Sequence, residues 1–313
     1  MSIGQVSSQI ILMFCLMFVG VIINRMHMMS EQTSNDLTNI LLIIVSPCLI
    51  IKAFEQPYSS SRINQFVLTC LAVLIAYIIF IIIAKLAFDR IKDPNLKRTA
   101  KFGSVLSSCG FMGVPLAGSI FGNTGVFFAV ISLAAFNIYT WTYGISLFRP
   151  ENSDSNWKDN LKKALVNPNT IAIVIGIFMF LFSWRLPAIL DKTVYYVSSV
   201  NTPLSMIVIG NSLANASFKK KDLSWPIWLA LLMRNLLFPI MSIVILNLVG
   251  VHGVALLTTI LMFACPTAGI VVLFTLQAHG NINPPVALMS ISTILSIVTI
   301  PLVYAINNLH LFG

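Results

Sequence analysis

Residues 107–118 read SSCGFMGVPLAG, and residues 263–271 read FACPTAGIV. Each places cysteine, glycine and proline in the middle of an apolar stretch. Proline inside a helix removes a backbone hydrogen bond, and its ring collides with the carbonyl four residues back. With Gly110, Gly113 and Pro115 so close together, the first stretch is expected to break near its middle. Pro266 with Gly269 is expected to break the second. Freed backbone groups at membrane depth are tolerated only where protein or a water-filled cavity satisfies them. Paired breaks at corresponding places in two halves of a chain point to a solute site, and half-helix N-termini suit an anion. The plainer reading is that such prolines only kink packed helices; the matched pair favours the site.

The surrounding sequence sets the solvent. Apolar residues make up 57% of the 313 positions and charged residues 9%, and the mean hydropathy is +0.90. A soluble domain would carry roughly 25% charged residues. Ten stretches, at about 6–24, 37–54, 63–84, 102–121, 125–148, 168–184, 194–217, 225–249, 254–277 and 285–306, have the roughly 17–25 mostly apolar residues a spanning helix needs. Helices are expected rather than a barrel, because the runs are apolar all round instead of alternating. The fold class expected is therefore an all-α membrane protein of about ten transmembrane helices.

The net charge of +9 does not indicate nucleic acid, since the basic residues sit in short loops between the apolar runs. With the N-terminus outside, the inner loops hold Arg25, six basic residues over 85–101, Arg149, Lys158, Lys162, Lys163 and Lys219 to Lys221, fourteen against four on the other side (Lys52, Arg62, Arg185 and Lys192). This bias places both termini outside. The longest hydrophilic segment, RPENSDSNWKDNLKKALVNPNT, separates five stretches from five. An odd number of spans per half forces an inverted repeat: residues 1–148, a cytoplasmic linker over 149–167, and residues 168–313.

Arg234 lies mid-way along WPIWLALLMRNLLFPIMSIVILN. A mid-span arginine costs about 2.5–3.5 kcal/mol even on the insertion scale, so it must face the interior. Its partner is either a substrate carboxylate or the carbonyl of a broken helix, and the sequence leaves both open. Asn235, Asn137, Asn201 and Asn211 could line a pathway or tie helices together. No Asp or Glu occupies the interior of any span, so proton coupling would need a proton carried on the substrate, and a sodium site would need carbonyls and amides. His27, His252, His279 and His310 fall near span ends. The five cysteines lie in apolar runs without a CxxC pair, so neither disulfides nor a zinc site is indicated. There is no Walker A loop, G-x-S-x-G or H-E-x-x-H, which leaves ATP drive and hydrolysis without support. No enzyme and no cofactor are expected.

Several stretches resemble the auxin efflux carrier family, which includes plant PIN carriers and bacterial malonate and malate permeases. They are SEQTSNDLTNILLIIVSPCLI, GFMGVPL, VNPNTIAIVIG, TPLSMIVIGNSLA, RNLLFP, ACPTAG and SISTILSIVTIPL, in the family's order and spread over nearly the whole chain. The resemblance implies ten helices in a 5+5 inverted repeat, with the first, second, sixth and seventh as a scaffold and the rest as a moving domain. It implies that the fourth and ninth cross at their breaks, marked by Pro115 and Pro266. A substrate carboxylate would then sit near Ser108, Cys109, Gly110, Thr267 and Ala268. Serine at 108 departs from the asparagine common there, and the long central loop of the plant carriers is absent, which favours the compact bacterial members.

The expected function is secondary transport, by alternating access, of a small organic anion such as malate or malonate, with Gly113, Asn137, Arg234 and Asn235 completing the site. Export of amphipathic weak acids is the alternative within the class, and a membrane sensor the alternative outside it. The expected setting is the plasma membrane. The coupling ion (H+ or Na+) and assembly as a homodimer stay open.

Overall fold

The computed structural model describes residues 3–148, 166–216 and 222–309. Most of the expected linker, up to residue 165, and Lys219 to Lys221 lie outside the described residues. Helices make up the described chain in this order. They are α1 (Ile3–Arg25), α2 (Glu31–Ile40, a wide π turn over Leu41–Val45, then Ser46–Phe54), α3 (Ser60–Phe88) and α4 (Pro94–Val105). Next come α5 (Cys109–Phe148), α6 (Pro168–Leu181), α7 (Ala188–Ser199) and α8 (Asn201–Ala214). The last are α9 (Trp225–Val249), α10 (Gly253–Ala264), α11 (Ile270–Gln277) and α12 (Asn283–Asn308). Starts are set by side-chain oxygens that accept orphan N–H groups: Ser30 from Thr33, Asp93 from Asn95 and Leu96, and Asn167 from Thr170.

Six helical stretches are long and apolar enough to cross a bilayer by length and composition: α1, α2, α3, α5, α9 and α12. The sixth run forms one shorter helix, Pro168–Leu181, and three others are cut by backbone breaks. Residues 106–108 separate α4 from α5, residues 265–269 separate α10 from α11, and the seventh run is divided between α7 and α8. Conversely, α5 joins parts of two expected runs. Gly122 (φ 62°, ψ −152°) kinks the chain inside it, in a backbone region that a residue with a β-carbon avoids. Helical faces carry apolar side chains outward, Leu86 and Leu248 among them, as a lipid-facing surface requires.

Three prolines within helices share one device. The wide π turns Leu41–Val45, Cys109–Gly113 and Met233–Leu237 each end two residues before a proline, Pro47, Pro115 and Pro239. The carbonyl that the proline ring would strike belongs to the central residue of each wide turn. Widening the turn makes room for the ring, so the helix continues.

This corrects the expectation that Pro115 marks the break. The fourth run breaks at Leu106–Ser108, and Pro115 sits almost two turns inside the following helix. Pro266 does lie within its break, between Cys265 and Gly269.

Close packing of the remaining helices rests on glycine. A β-carbon on Gly20 of α1 would strike the Ile207 carbonyl of α8, and one on Gly210 would strike the Met17 carbonyl. At Gly176 of α6, the Phe54 ring of α2 fills the same space. Asn24 donates to Asn211 and Asn215, both at 2.9 Å, tying the ends of α1 and α8. Inside the bundle, Phe80 stacks on Phe238 at 4.3 Å, beside Phe263 and Tyr77.

Candidate functional site at the crossing of two broken helices

The two breaks meet. Ser107 and Thr267 form an antiparallel bridge. Ser108 N–H donates to the Pro266 carbonyl at 2.7 Å, and Ala268 N–H donates to the Leu106 carbonyl at 3.0 Å. Buried extended backbone is thereby satisfied by the partner break, the condition for its survival at this depth. Thr267 ties the joint further: its hydroxyl donates to the Gly103 carbonyl at 2.9 Å and its N–H to Ser292 Oγ at 3.0 Å. Ser292 in turn donates to Asn235 Oδ1 at 2.7 Å, while Asn235 Nδ2 donates to the Ser292 carbonyl at 2.9 Å. Asn235 is buried and holds the break in place, outside the walls of the two cavities beside it.

Four helix ends converge here, and they are electrically distinct. The C-termini of α4 and α10 present carbonyls, each end equivalent to roughly half a negative charge. Arg234, with no exposed surface, donates through Nη1 to the Val105 carbonyl at 2.6 Å and through Nη2 to the Phe263 carbonyl. One guanidinium thus bridges both negative ends, which together match its unit charge. Of the two partners the sequence left open for Arg234, the structure shows the carbonyls.

The N-termini of α5 and α11 are the opposite case. The N–H groups of Gly110 and Phe111, and of Gly269 and Ile270, find no acceptor among the described residues. All four residues line one cavity of about 420 Å³. Its wall also carries Ser108, Asn137 and Ala268, together with Asn39, Trp141, Asn167 and Asn169. A second cavity of about 210 Å³ shares Ser108, Phe111 and Gly269 and adds Pro266, Thr267 and the hydroxyl-bearing residues Thr38, Ser212 and Thr293. The rest of its wall is apolar, including Met112, Val208, Ile209 and Met289. Among the described residues, neither cavity is lined by a charged side chain.

The expected site residues therefore divide. Ser108, Gly110, Asn137, Pro266, Thr267 and Ala268 reach a cavity wall. Cys109 is buried, with its Sγ 3.1 Å from Ser107 Oγ. Gly113 packs against Met262 and Cys265, and the buried Pro115 presents its carbonyl to Thr202. Sequence reading missed Asn39, Asn167, Asn169 and the three hydroxyls. For Thr38, Asn39, Asn167 and Asn169 the one visible signal was polarity near the start of apolar runs, as in VNPNT, which a helix cap explains equally well; Ser212 and Thr293 lie deeper in their runs and carried no signal.

The chain matches the membrane transport protein family over residues 5–304. It is 26% identical over 251 residues to an uncharacterized transporter of Methanocaldococcus jannaschii, covering 78% of this chain and 80% of that protein. It is 24% identical over 289 residues to an uncharacterized transporter of Methanothermobacter thermautotrophicus, covering 92% of this chain and 93% of that protein. A helical protein with several spans, whose two broken helices cross beside uncharged cavities and whose sequence follows the family over nearly its whole length, belongs to the membrane transport protein family, the auxin efflux carrier-like transporters.

Proposed function

We propose that this multi-pass membrane protein is a secondary transporter of a small organic anion, taken as the monoanion, with a dicarboxylate such as malonate or malate bound in its singly protonated form. The observation that carries this reading is the group of four unpaired N–H groups from two helix N-termini on one uncharged cavity. Two N-termini offer about one unit of positive charge between them. That balances one carboxylate; a second one would be desolvated without a counter-charge. The protonated carboxyl finds the Thr38, Ser212 and Thr293 hydroxyls in the adjoining cavity. Arg234 acts from behind as a positioning residue: it quenches the C-terminal ends, so the exposed N-termini set the local field.

Alternating access follows from a 5+5 inverted repeat in a ten-span chain, with both termini outside the plasma membrane. Supporting the repeat, the first expected span packs on the seventh through Gly20 and Gly210, and the sixth packs on the second through Gly176. An exchange of spans five apart maps the first pair onto the second. The crossing of the fourth and ninth obeys the same exchange.

Uptake of labelled malonate into reconstituted vesicles tests this. The rate should follow the monoanion fraction between about pH 4 and 7. A rate that climbs with the dianion fraction sinks it. The apolar wall of the smaller cavity favours a second reading, an amphipathic weak acid with one carboxylate. Competition between malonate and an aryl acetate separates the two.

A further inference from the structure

A third cavity, of about 530 Å³, opens near the ends of α4, α5 and α11, and its wall includes Arg98, Phe148, Phe274 and His279. It lies beside the crossing site, along the same two helices. Asn137 and Trp141 of α5 line the 420 Å³ cavity, and Ile145 and Phe148 line this one. On α11 the sequence is Ile270, then Phe274 and Gln277. Spacings of three and four place these residues along one face of α11, and along α5 they follow one another on either side of a wide turn over Thr140–Gly144. Trp141 and Phe274, with ring centroids 5.8 Å apart, stand between the two cavities.

Arg98 is held in place by neutral groups. It donates through Nη2 to Asn95 Oδ1 at 3.2 Å, and Asn95 is fixed by its own bond to the Asn281 carbonyl at 2.8 Å. The Phe148 ring lies 5.5 Å from the guanidinium carbon. Gly280 makes room, since a β-carbon there would collide with both Asn95 Oδ1 and Arg98 Nη2. Among the described residues Arg98 forms no ion pair; Asp89 is engaged by Lys101 at 2.5 Å and Lys97 at 3.8 Å. The bland role for Arg98 is to cap the C-terminus of α11. That end is already closed by bonds from Gly280 N–H to the Thr275 carbonyl and from His279 N–H to the Leu276 carbonyl, both 2.9 Å. Its residual half charge is also smaller than the full charge of Arg98.

We propose that this cavity is an anion-binding vestibule in which Arg98, aided by His279, takes the carboxylate of a small free anion before or after it passes Trp141 and Phe274. The anion's identity as the transported substrate rests on the reading above, whereas its binding here is measured without transport. Purified protein in phosphatidylcholine vesicles would be labelled with phenylglyoxal and the modification of Arg98 read by mass spectrometry, with Arg62 as reference. Malonate or inorganic phosphate should slow labelling of Arg98 alone. Failure of both to protect it overturns the vestibule, as does protection by phosphatidylglycerol alone, or an Arg98 that phenylglyoxal never reaches. In transport, Arg98→Gln should raise the half-saturation for malonate offered from the Arg98 side roughly five- to tenfold. It should leave the maximal rate from that side and the opposite-side half-saturation unchanged, with the maximal rate from the opposite side falling in proportion, since at zero gradient the ratio of maximal rate to half-saturation is equal from the two sides. An equal loss of maximal rate from both sides would mean that Arg98 serves structure, and an unchanged half-saturation would also overturn the proposal.

Discussion

Replacing Arg234 with methionine removes one buried charge and frees two helix ends. Two charge-assisted hydrogen bonds, to Val105 and Phe263, are lost, at about 1.5–3 kcal/mol each. The C-terminal ends of α4 and α10 also lose their counter-charge, roughly 0.3–1 kcal/mol apiece and more where buried. Against this, the variant no longer buries a cation, which recovers about 2.5–3.5 kcal/mol. The balance is a loss on the order of 2–4 kcal/mol, concentrated at the crossing. Cys109 and Cys265 are both fully buried there. With Cys15 and Cys48 changed to serine and Cys70 to alanine, a thiol-reactive dye reports the opening of this joint during heating. Arg234→Met should lower the midpoint of dye reaction by several degrees and abolish malonate uptake, while the protein still inserts. Arg234→Lys should recover part of the midpoint, because an ammonium keeps the charge but lacks the planar fork that spans two carbonyls. A methionine variant with the native midpoint and native uptake would refute the role assigned to this side chain.

Ser108 lines both cavities, so Ser108→Ala should weaken apparent malonate affinity by roughly three- to tenfold, the worth of one hydrogen bond, without shifting the dye midpoint. A change in the midpoint alone would assign Ser108 to structure. Gly210→Ala pushes a β-carbon into the Met17 carbonyl; it should cost about 1–3 kcal/mol through helix separation, seen as a lower thermal midpoint in detergent. Lys101 and Lys97 beside Asp89 hold its carboxyl below the ordinary carboxylate range. The stabilisation is therefore full above the ordinary carboxylate value and disappears as pH falls through the depressed one. Asp89→Asn should flatten the acid limb of a stability profile and leave the neutral plateau slightly lower, an effect kept small by the exposure of Asp89.

Composition and the lengths of the apolar runs were enough to specify a helical membrane protein, because a bilayer satisfies backbone groups in few ways and charges are costly within it. The paired Cys-Gly-Pro stretches likewise announced two broken helices, since proline and glycine act on the backbone locally. Which residue breaks the chain was not legible. Pro115 is absorbed by a wide turn, as Pro47 and Pro239 are, whereas Leu106 to Ser108 carry no breaking residue and unwind because the partner break supplies their hydrogen bonds. The role of Arg234 was undecided for the same reason. A buried cation must find negative charge, but only the meeting of α4 and α10 shows that helix carbonyls provide it. Asn39, Asn167 and Asn169 come from helices distant in sequence, and nothing local distinguishes a cavity-lining amide from a cap. Local chemistry is written in the order of residues; the pairing of two breaks and the sharing of one cation between two helix ends are long-range contacts, and those exist only once the bundle has closed.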